Sequence, residues 1–169
     1  GDGGDELFMG YGSARWAKRL ANPYLQAISK PLYASSTLLS NKYQRSGNLF
    51  DYADQQNIES HIFSQEQYFF KENELKDLLI DADVNLLPVN PKIKSPRQLS
   101  SLEKQSFWDF NFYLKDDLLV KVDRASMRYG LEVRVPLLDN NLVDFAFNLD
   151  EDLKLNGKTH KYLLKNVLY

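Results

Sequence analysis

Apolar residues return every three or four positions through most of this chain and alternate in only one short stretch, a pattern that commits it to packing helices. From Glu6 to about Ala21, Leu7, Phe8, Tyr11, Ala14 and Leu20 fall at helical spacing with Arg15, Lys18 and Arg19 between them. Pro23 interrupts, and a second helical spacing runs from Leu25 to about Leu39, with Pro31 as a kink or boundary. Two shorter helices are expected over roughly Asp51 to Ile62 and Glu72 to Ile80, and Ser64 to Gln67 resembles a helix start leading into Tyr68 and Phe69. Pro88, Pro91 and Pro96, among Lys, Asn and Ser, mark an irregular surface loop over about 86–100. The strongest helical signal begins at Ser100 or Ser101 as cap and carries Leu102, Phe107, Trp108, Phe110, Asn111, Leu114 and Leu118. A short helix over Asp123 to Tyr129 should end at Gly130 in a left-handed cap. Leu131 to Val135 alternates like a strand, Asp139 should cap a helix with Leu142, Val143, Phe145 and Ala146, and Thr159 should cap the last one through Leu168. No internal repeat is present, and the segment reads as nearly all α.

Composition narrows the function classes. With 43% hydrophobic and 13% aromatic residues in 169, the chain has ample material for one packed core. A formal charge of -2 gives no global basic field for nucleic acid or an acidic membrane surface, so a small specific ligand is the better expectation. The absence of cysteine removes disulfides, thiolate ligands and a cysteine nucleophile, and is compatible with a cytoplasmic setting. No apolar run reaches the roughly 18 residues that would span a bilayer. The opening on Gly1 rather than Met is expected to be a cut, which makes the chain a piece of a larger protein.

The first six residues, Gly1-Asp2-Gly3-Gly4-Asp5-Glu6, combine three glycines with two aspartates immediately before a helical pattern. Glycine lets backbone N–H groups approach an anion, and a carboxylate holds a divalent ion, so phosphate with magnesium is a natural ligand. A tight Gly/Asp turn without ligand, or a calcium loop, fits the same residues. The loop is not a Walker motif, because no Gly-Lys-Ser/Thr follows, and Glu6 breaks the dinucleotide glycine pattern.

Two later segments join it. Leu119-Val120-Lys121-Val122-Asp123-Arg124-Ala125-Ser126-Met127 runs into Gly130-Leu131-Glu132-Val133-Arg134-Val135-Pro136-Leu137-Leu138-Asp139, and Gly157-Lys158-Thr159-His160-Lys161-Tyr162-Leu163-Leu164-Lys165 lies near the end. With the opening that continues through Leu7, Phe8, Gly10 and Tyr11, these segments in this order resemble the asparagine synthetase (glutamine-hydrolysing) family, while residues from about 22 to 100 match loosely. The resemblance implies a predominantly α-helical C-terminal half of an α/β ATP-pyrophosphatase-type (adenine nucleotide alpha hydrolase-like) synthetase domain, truncated at both ends. It implies ATP and Mg²⁺ as cofactors, activation of aspartate or a related carboxylate as an acyl-adenylate, and attack by ammonia from glutamine or by an amine.

Residue roles follow from the same resemblance. Asp5 matches the carboxylate for metal and pyrophosphate, and Gly3 and Gly4 match the positions presenting N–H groups to pyrophosphate. Asp2 matches an acidic position that orients or deprotonates the amine, where many relatives carry Glu; turn formation is its other reading. Lys161 matches a lysine over the adenylate, although alone it would read as a solvated helix lysine. Glu132 and Arg124 match a second carboxylate and a cation near that pocket, or else an ion pair bracing the core. Tyr11 matches a cofactor-side position; it, Lys121, Asp123 and Arg134 also suit structural roles. Glu6 is expected to stabilise the start of the first helix, and His61 and His160 have no metal-spaced companions.

The Ser-Gly-Gly-x-Asp-Ser loop that grips ATP in that family does not occur in the sequence, so the 169 residues alone are expected to be inactive. A non-catalytic helical module on the same scaffold, or a divalent-ion-binding domain unrelated to ATP, would carry similar helices. Helix faces that should cover absent strands are expected to bury themselves in a homodimer.

Overall fold

The computed structural model describes residues 1–39, 46–52, 57–67, 69, 70, 74, 78, 79 and 97–168. Most of the expected 72–80 helix, residues 53–56 of the 51–62 helix and most of the 86–100 loop lie outside the described residues. Those described are mostly helical with one two-stranded sheet, and they divide into two compact units, Gly1–Ala14 with Leu99–Tyr169 and Arg15–Gln98.

The expected helix from Glu6 to Ala21 is two helices, α1 (Gly4–Leu7) and α2 (Ser13–Leu20). Leu7, Phe8 and Met9 are all buried, and three consecutive buried residues cannot share one helix face. The chain turns there instead, with Met9 at φ 54° and the Gly10 N–H donating to the Asp5 carbonyl at 2.8 Å.

In the second unit, Pro23 starts a helix rather than interrupting one. It is the first residue of α3 (Pro23–Ser36), where its missing N–H costs nothing, and the Asn22 side chain accepts from the Tyr24 N–H at 2.9 Å. Pro31 lies inside α3 without ending it. Ser64 does not begin a helix either. It lies in the last turn of α4 (Ile58–Glu66), its hydroxyl donating back to the His61 carbonyl at 3.0 Å instead of accepting from the turn ahead. Ala17, Leu20 and Ile62 form the buried centre of this unit, flanked by Trp16, Phe50, Tyr52 and Ile58.

The first unit is built around a helical run that begins as α5 (Ser101–Trp108), widens into a π-helical segment (Asp109–Leu118) and ends as α6 (Leu119–Met127). Ser100 caps it as expected, in a reciprocal capping box with Glu103. The expected short helix from Asp123 is the end of this run, and it stops where Gly130 adopts φ 65° and the Leu131 N–H reaches back to the Ser126 carbonyl at 3.1 Å. Leu131 to Val135 is not a strand. The segment pairs with no other strand among the described residues, and Leu131 is 60% exposed.

Asp139 caps α7 (Asn140–Asn148), and α8 (Glu151–Lys154) leads into a hairpin of β1 (Leu155–Asn156) and β2 (Thr159–His160). Leu155 opposes His160 and Asn156 opposes Thr159, with Gly157 at φ 56° in the turn. Thr159 therefore belongs to the hairpin. The residue at the cap position of α9 (Tyr162–Leu168) is Lys161, whose carbonyl accepts from the Lys165 N–H at 3.0 Å. Leu7, Phe8 and Ala146 form one buried cluster, with Phe110, Leu138, Val143 and Leu164 against it; Met9, Ala14 and Leu102 form another, with Leu155.

The Asp139 carboxylate accepts from the Asn141 N–H at 3.0 Å. Asp139→Ala leaves that donor to water and should lower stability by about 1 kcal/mol, read as a lower urea midpoint at unchanged slope.

Candidate functional site

Asp2 and Gly3 occupy the centre of a tight turn in which the Gly4 N–H donates to the Gly1 carbonyl at 3.2 Å. Gly3 is left-handed at φ 83°, a conformation that favours glycine, and a Cβ there would lie 2.5 Å from Leu138 Cδ2 and force that side chain to shift. Gly4 is buried, and a Cβ on it would meet Leu137 Cδ1 at 3.0 Å. Asp2 is half-buried in this turn. The turn delivers Asp5 into α1, whose side chain meets a residue from the far end of the chain.

That residue is Lys161. Its Nζ lies 2.7 Å from Asp5 Oδ1, with the two side chains 30% and 32% exposed. The pair lies directly on Gly10, where a Cβ would fall 1.8 Å from Asp5 Oδ1 and 2.5 Å from Lys161 Cε. Any side chain at position 10 would displace the pair. Two further contacts bring the hairpin to this turn: the Lys161 N–H donates to the Phe8 carbonyl at 3.2 Å, and His160 Nδ1 is 2.7 Å from the Met9 carbonyl oxygen. From the sequence Gly10 was read only as part of the opening motif, and His160 only as a histidine without metal-spaced companions. The one available hint for Gly10 was a glycine before Tyr11 inside an apparent helix.

Glu6 lies in the first turn of α1, and its side chain has a further partner. It is 2% exposed, and its Oε1 accepts from the Tyr11 hydroxyl at 2.7 Å, while its backbone carbonyl accepts from the Ser106 hydroxyl. Tyr11 also stands edge-on to Tyr113, ring centroids 5.8 Å apart. Burial holds the Tyr11 phenol well above the ordinary phenol range, and the Glu6 hydrogen bond and charge, followed by Asp5, push the same way. Tyr11 is thereby fixed as a neutral donor.

Arg124 and Glu132 are exposed, on α6 and on the extended segment after it. Glu132 Oε1 receives Arg134 Nε at 2.9 Å and Arg134 NH2 at 2.8 Å, both side chains largely exposed. The ion pair at Glu132 is thus with Arg134 on a solvent-facing strip and braces no core. Lys121 pairs with Asp117 at 3.6 Å along the helix. Asp2, Gly3, Gly4, Asp5, Tyr11 and Lys161 lie in the first unit, whereas no hydrogen bond or ion pair joins Arg124 or Glu132 to Asp5 or Lys161.

Among the described residues no three His, Cys, Asp or Glu side chains gather as a ligand set. Asp5 offers a single carboxylate, one oxygen of which is already held by Lys161, whereas magnesium takes one or two carboxylates and completes its shell with phosphate and water. Among the described residues no helix is long and apolar enough to cross a membrane.

The sequence model of asparagine synthase matches residues 1–169. The chain belongs to the asparagine synthase family. Asparagine synthetase (glutamine-hydrolyzing) 1 of Bacillus subtilis (strain 168) is 28% identical over 172 residues, which cover 99% of this chain and 27% of that protein. Asparagine synthetase (glutamine-hydrolyzing) 3 of the same organism is 25% identical over 169 residues, 99% of this chain and 23% of its own length. A probable asparagine synthetase (glutamine-hydrolyzing) of Schizosaccharomyces pombe is 39% identical over 59 residues, 34% of this chain. The chain spans about a quarter of the length of the two Bacillus relatives. No solved structure matches it. The mostly helical architecture is consistent with part of an asparagine synthase domain.

The Tyr11 environment has a measurable consequence. Below about pH 10 the phenol is neutral both folded and unfolded; above it the unfolded chain ionises while the folded chain keeps its proton. Stability therefore falls as pH rises, by about 1.4 kcal/mol per unit from this group. Urea titrations between about pH 10 and 11 should show Tyr11→Phe with a shallower loss than wild type by about 1 kcal/mol, since the unfolded phenol is half ionised at the lower end of that range.

Proposed function

We propose that this chain forms the pyrophosphate side of an ATP-dependent amide-forming site in a parent protein of the asparagine synthase family. The observation that carries the reading is the Lys161–Asp5 pair at 2.7 Å, which joins the opening Gly-Asp loop to the terminal lysine motif. The reading also draws on the family membership and on the fold that family implies, a parallel α/β ATP-pyrophosphatase layer to which this chain adds the helical region.

The substrate is aspartate or a related carboxylate, and the nitrogen is ammonia from glutamine. A carboxylate oxygen attacks the α-phosphorus of ATP, the bond to pyrophosphate breaks, and an acyl-adenylate results. Nitrogen then attacks the acyl carbon, loses a proton, and AMP leaves with the electron pair of the broken acyl–oxygen bond. Lys161 supplies a fixed positive charge where negative charge develops on phosphate and tetrahedral oxygen. It also offsets the Asp5 carboxylate, so that polyphosphate does not meet an uncompensated anion. Asp5 would hold Mg²⁺, which when bound neutralises charge on the phosphate oxygens. Gly3 and Gly4 admit the polyphosphate closely, although the Gly4 N–H must leave the Gly1 carbonyl to donate to it. Asp2 orients or deprotonates the amine. Tyr11, held neutral by burial and by Glu6, frames the cofactor side, and Glu132 and Arg124 would complete the pocket from segments that the structure leaves solvent-facing.

In the parent protein, Lys161→Ala should lower the turnover number for ATP-dependent pyrophosphate release by about 10²-fold or more, with Asp5→Asn impaired as well. The isolated 169-residue chain should release no pyrophosphate from ATP. Undiminished turnover in Lys161→Ala would overturn the reading, and ATP-dependent release by the isolated chain would overturn the assignment of ATP gripping to a loop outside it.

A further inference from the structure

Among the described residues only two other than glycine adopt left-handed backbone, Met9 at φ 54° and Lys161 at φ 54°. Such positions are strained and persist where surrounding contacts over-determine them. Here the two strained residues are tied to each other's neighbourhood. The Lys161 N–H donates to the carbonyl of Phe8, the residue before Met9, and His160, the residue before Lys161, places Nδ1 2.7 Å from the Met9 carbonyl oxygen.

A carbonyl oxygen only accepts, so the imidazole must carry its proton on Nδ1. That tautomer is set by the partner and does not depend on any ligand. The His160 backbone is itself anchored. It pairs with Leu155 across the hairpin, and Leu155 packs on the buried Met9, Ala14 and Leu102 cluster. The ring contact thus closes a loop in which the hairpin grips the turn at both Phe8 and Met9, and the Lys161 side chain leaves that grip toward Asp5.

We propose that His160 is a positioning residue: by donating from Nδ1 to the Met9 carbonyl it fixes the left-handed Met9 and Lys161 backbones that hold the Lys161 ammonium on Asp5. The catalytic meaning of this hold rests on the role proposed above for Lys161; the hold itself does not. His160 makes no hydrogen bond or ion pair with Asp5 and acts through the backbone of its neighbour.

The experiment follows the reactivity of Lys161 rather than turnover. Limited acetylation of the parent protein with acetic anhydride, read residue by residue by mass spectrometry, compares Lys161 with the exposed Lys165 as internal reference. His160→Leu keeps the bulk and removes the donor, and should raise the Lys161 rate relative to Lys165 roughly threefold, as expected for release of a partly exposed ion pair. His160→Asn restores an amide donor near the Nδ1 position and should bring the ratio back to the wild-type value. An unchanged ratio in His160→Leu overturns the proposal, as does an Asn variant as reactive as the Leu variant, which would assign the effect to ring packing. A measurement independent of folding of the variants is the imidazole ¹⁵N spectrum of the wild-type chain: a proton on Nδ1 is expected, and a neutral ring protonated on Nε2 overturns the proposal. None of these readouts uses ATP. If Lys161→Ala proves fully active while His160→Leu releases Lys161, the amide-forming reading fails and the positioning role stands.

Discussion

The contact on which the site depends is the closure of the terminal hairpin onto the turn at Phe8 to Gly10. Without it Asp5 and Lys161, near opposite ends of the sequence, have no reason to meet. The closure uses three polar contacts, to the Phe8 carbonyl, the Met9 carbonyl and the Asp5 carboxylate, and it works only because Gly10 leaves room for the pair. A glycine that contributes no atoms to the chemistry is in this sense as necessary as the two charged groups.

Magnitudes separate what stabilises this arrangement from what it is for. An ion pair about a third exposed contributes at most about 1 kcal/mol. Burying a side chain such as Leu7 or Phe8 contributes roughly 1.5–3 kcal/mol each, and both are essentially sealed from solvent. The turn is therefore held by its apolar residues, which pack against α7, α9 and the π-helical segment, and the Asp5–Lys161 pair rides on that scaffold. A partly exposed pair on a rigid apolar support keeps the Lys161 ammonium in place without sealing it from solvent.

What was legible in the sequence was local. Ser100 with Glu103, Asp139 before Asn141, and Gly130 after Met127 act as caps because capping depends on residues within a few positions of one another. What was not legible depended on partners far along the chain. The break at Met9 follows from burial of three successive residues by other elements. Thr159 pairs with Asn156 rather than capping α9 because the hairpin claims it, and the alternating Leu131 to Val135 lacks a strand to pair with among the described residues. Candidate site residues divide similarly. Asp5 and Lys161 stood out only through resemblance to a family, and their meeting is a tertiary fact; Gly10 and His160 carry no chemical signature in one dimension, because the role of each is defined by a group that the fold brings within a few ångströms.

The widened segment of the long helical run explains how one element supports this region at several points. In an α-helix, with about 100° per residue, positions five apart point about 140° away from each other. Asp109 and Leu114 are five apart and both buried, which an α-helix could not arrange toward one interior but an i→i+5 ladder can, as in the Leu119 N–H bond to the Leu114 carbonyl. Asp109 then accepts from Ser13 at 3.1 Å and Gln105 at 3.0 Å, and Tyr113 meets Tyr11, while Ser106 one turn earlier reaches the Glu6 carbonyl. The segment after Gly10 is thus fixed from behind by a helix whose own hydrogen-bond pattern is altered to face it. Restoring a regular α-helical ladder there would rotate Leu114 out of the core or Asp109 away from Ser13, so the irregular ladder is a requirement of the fold around the loop.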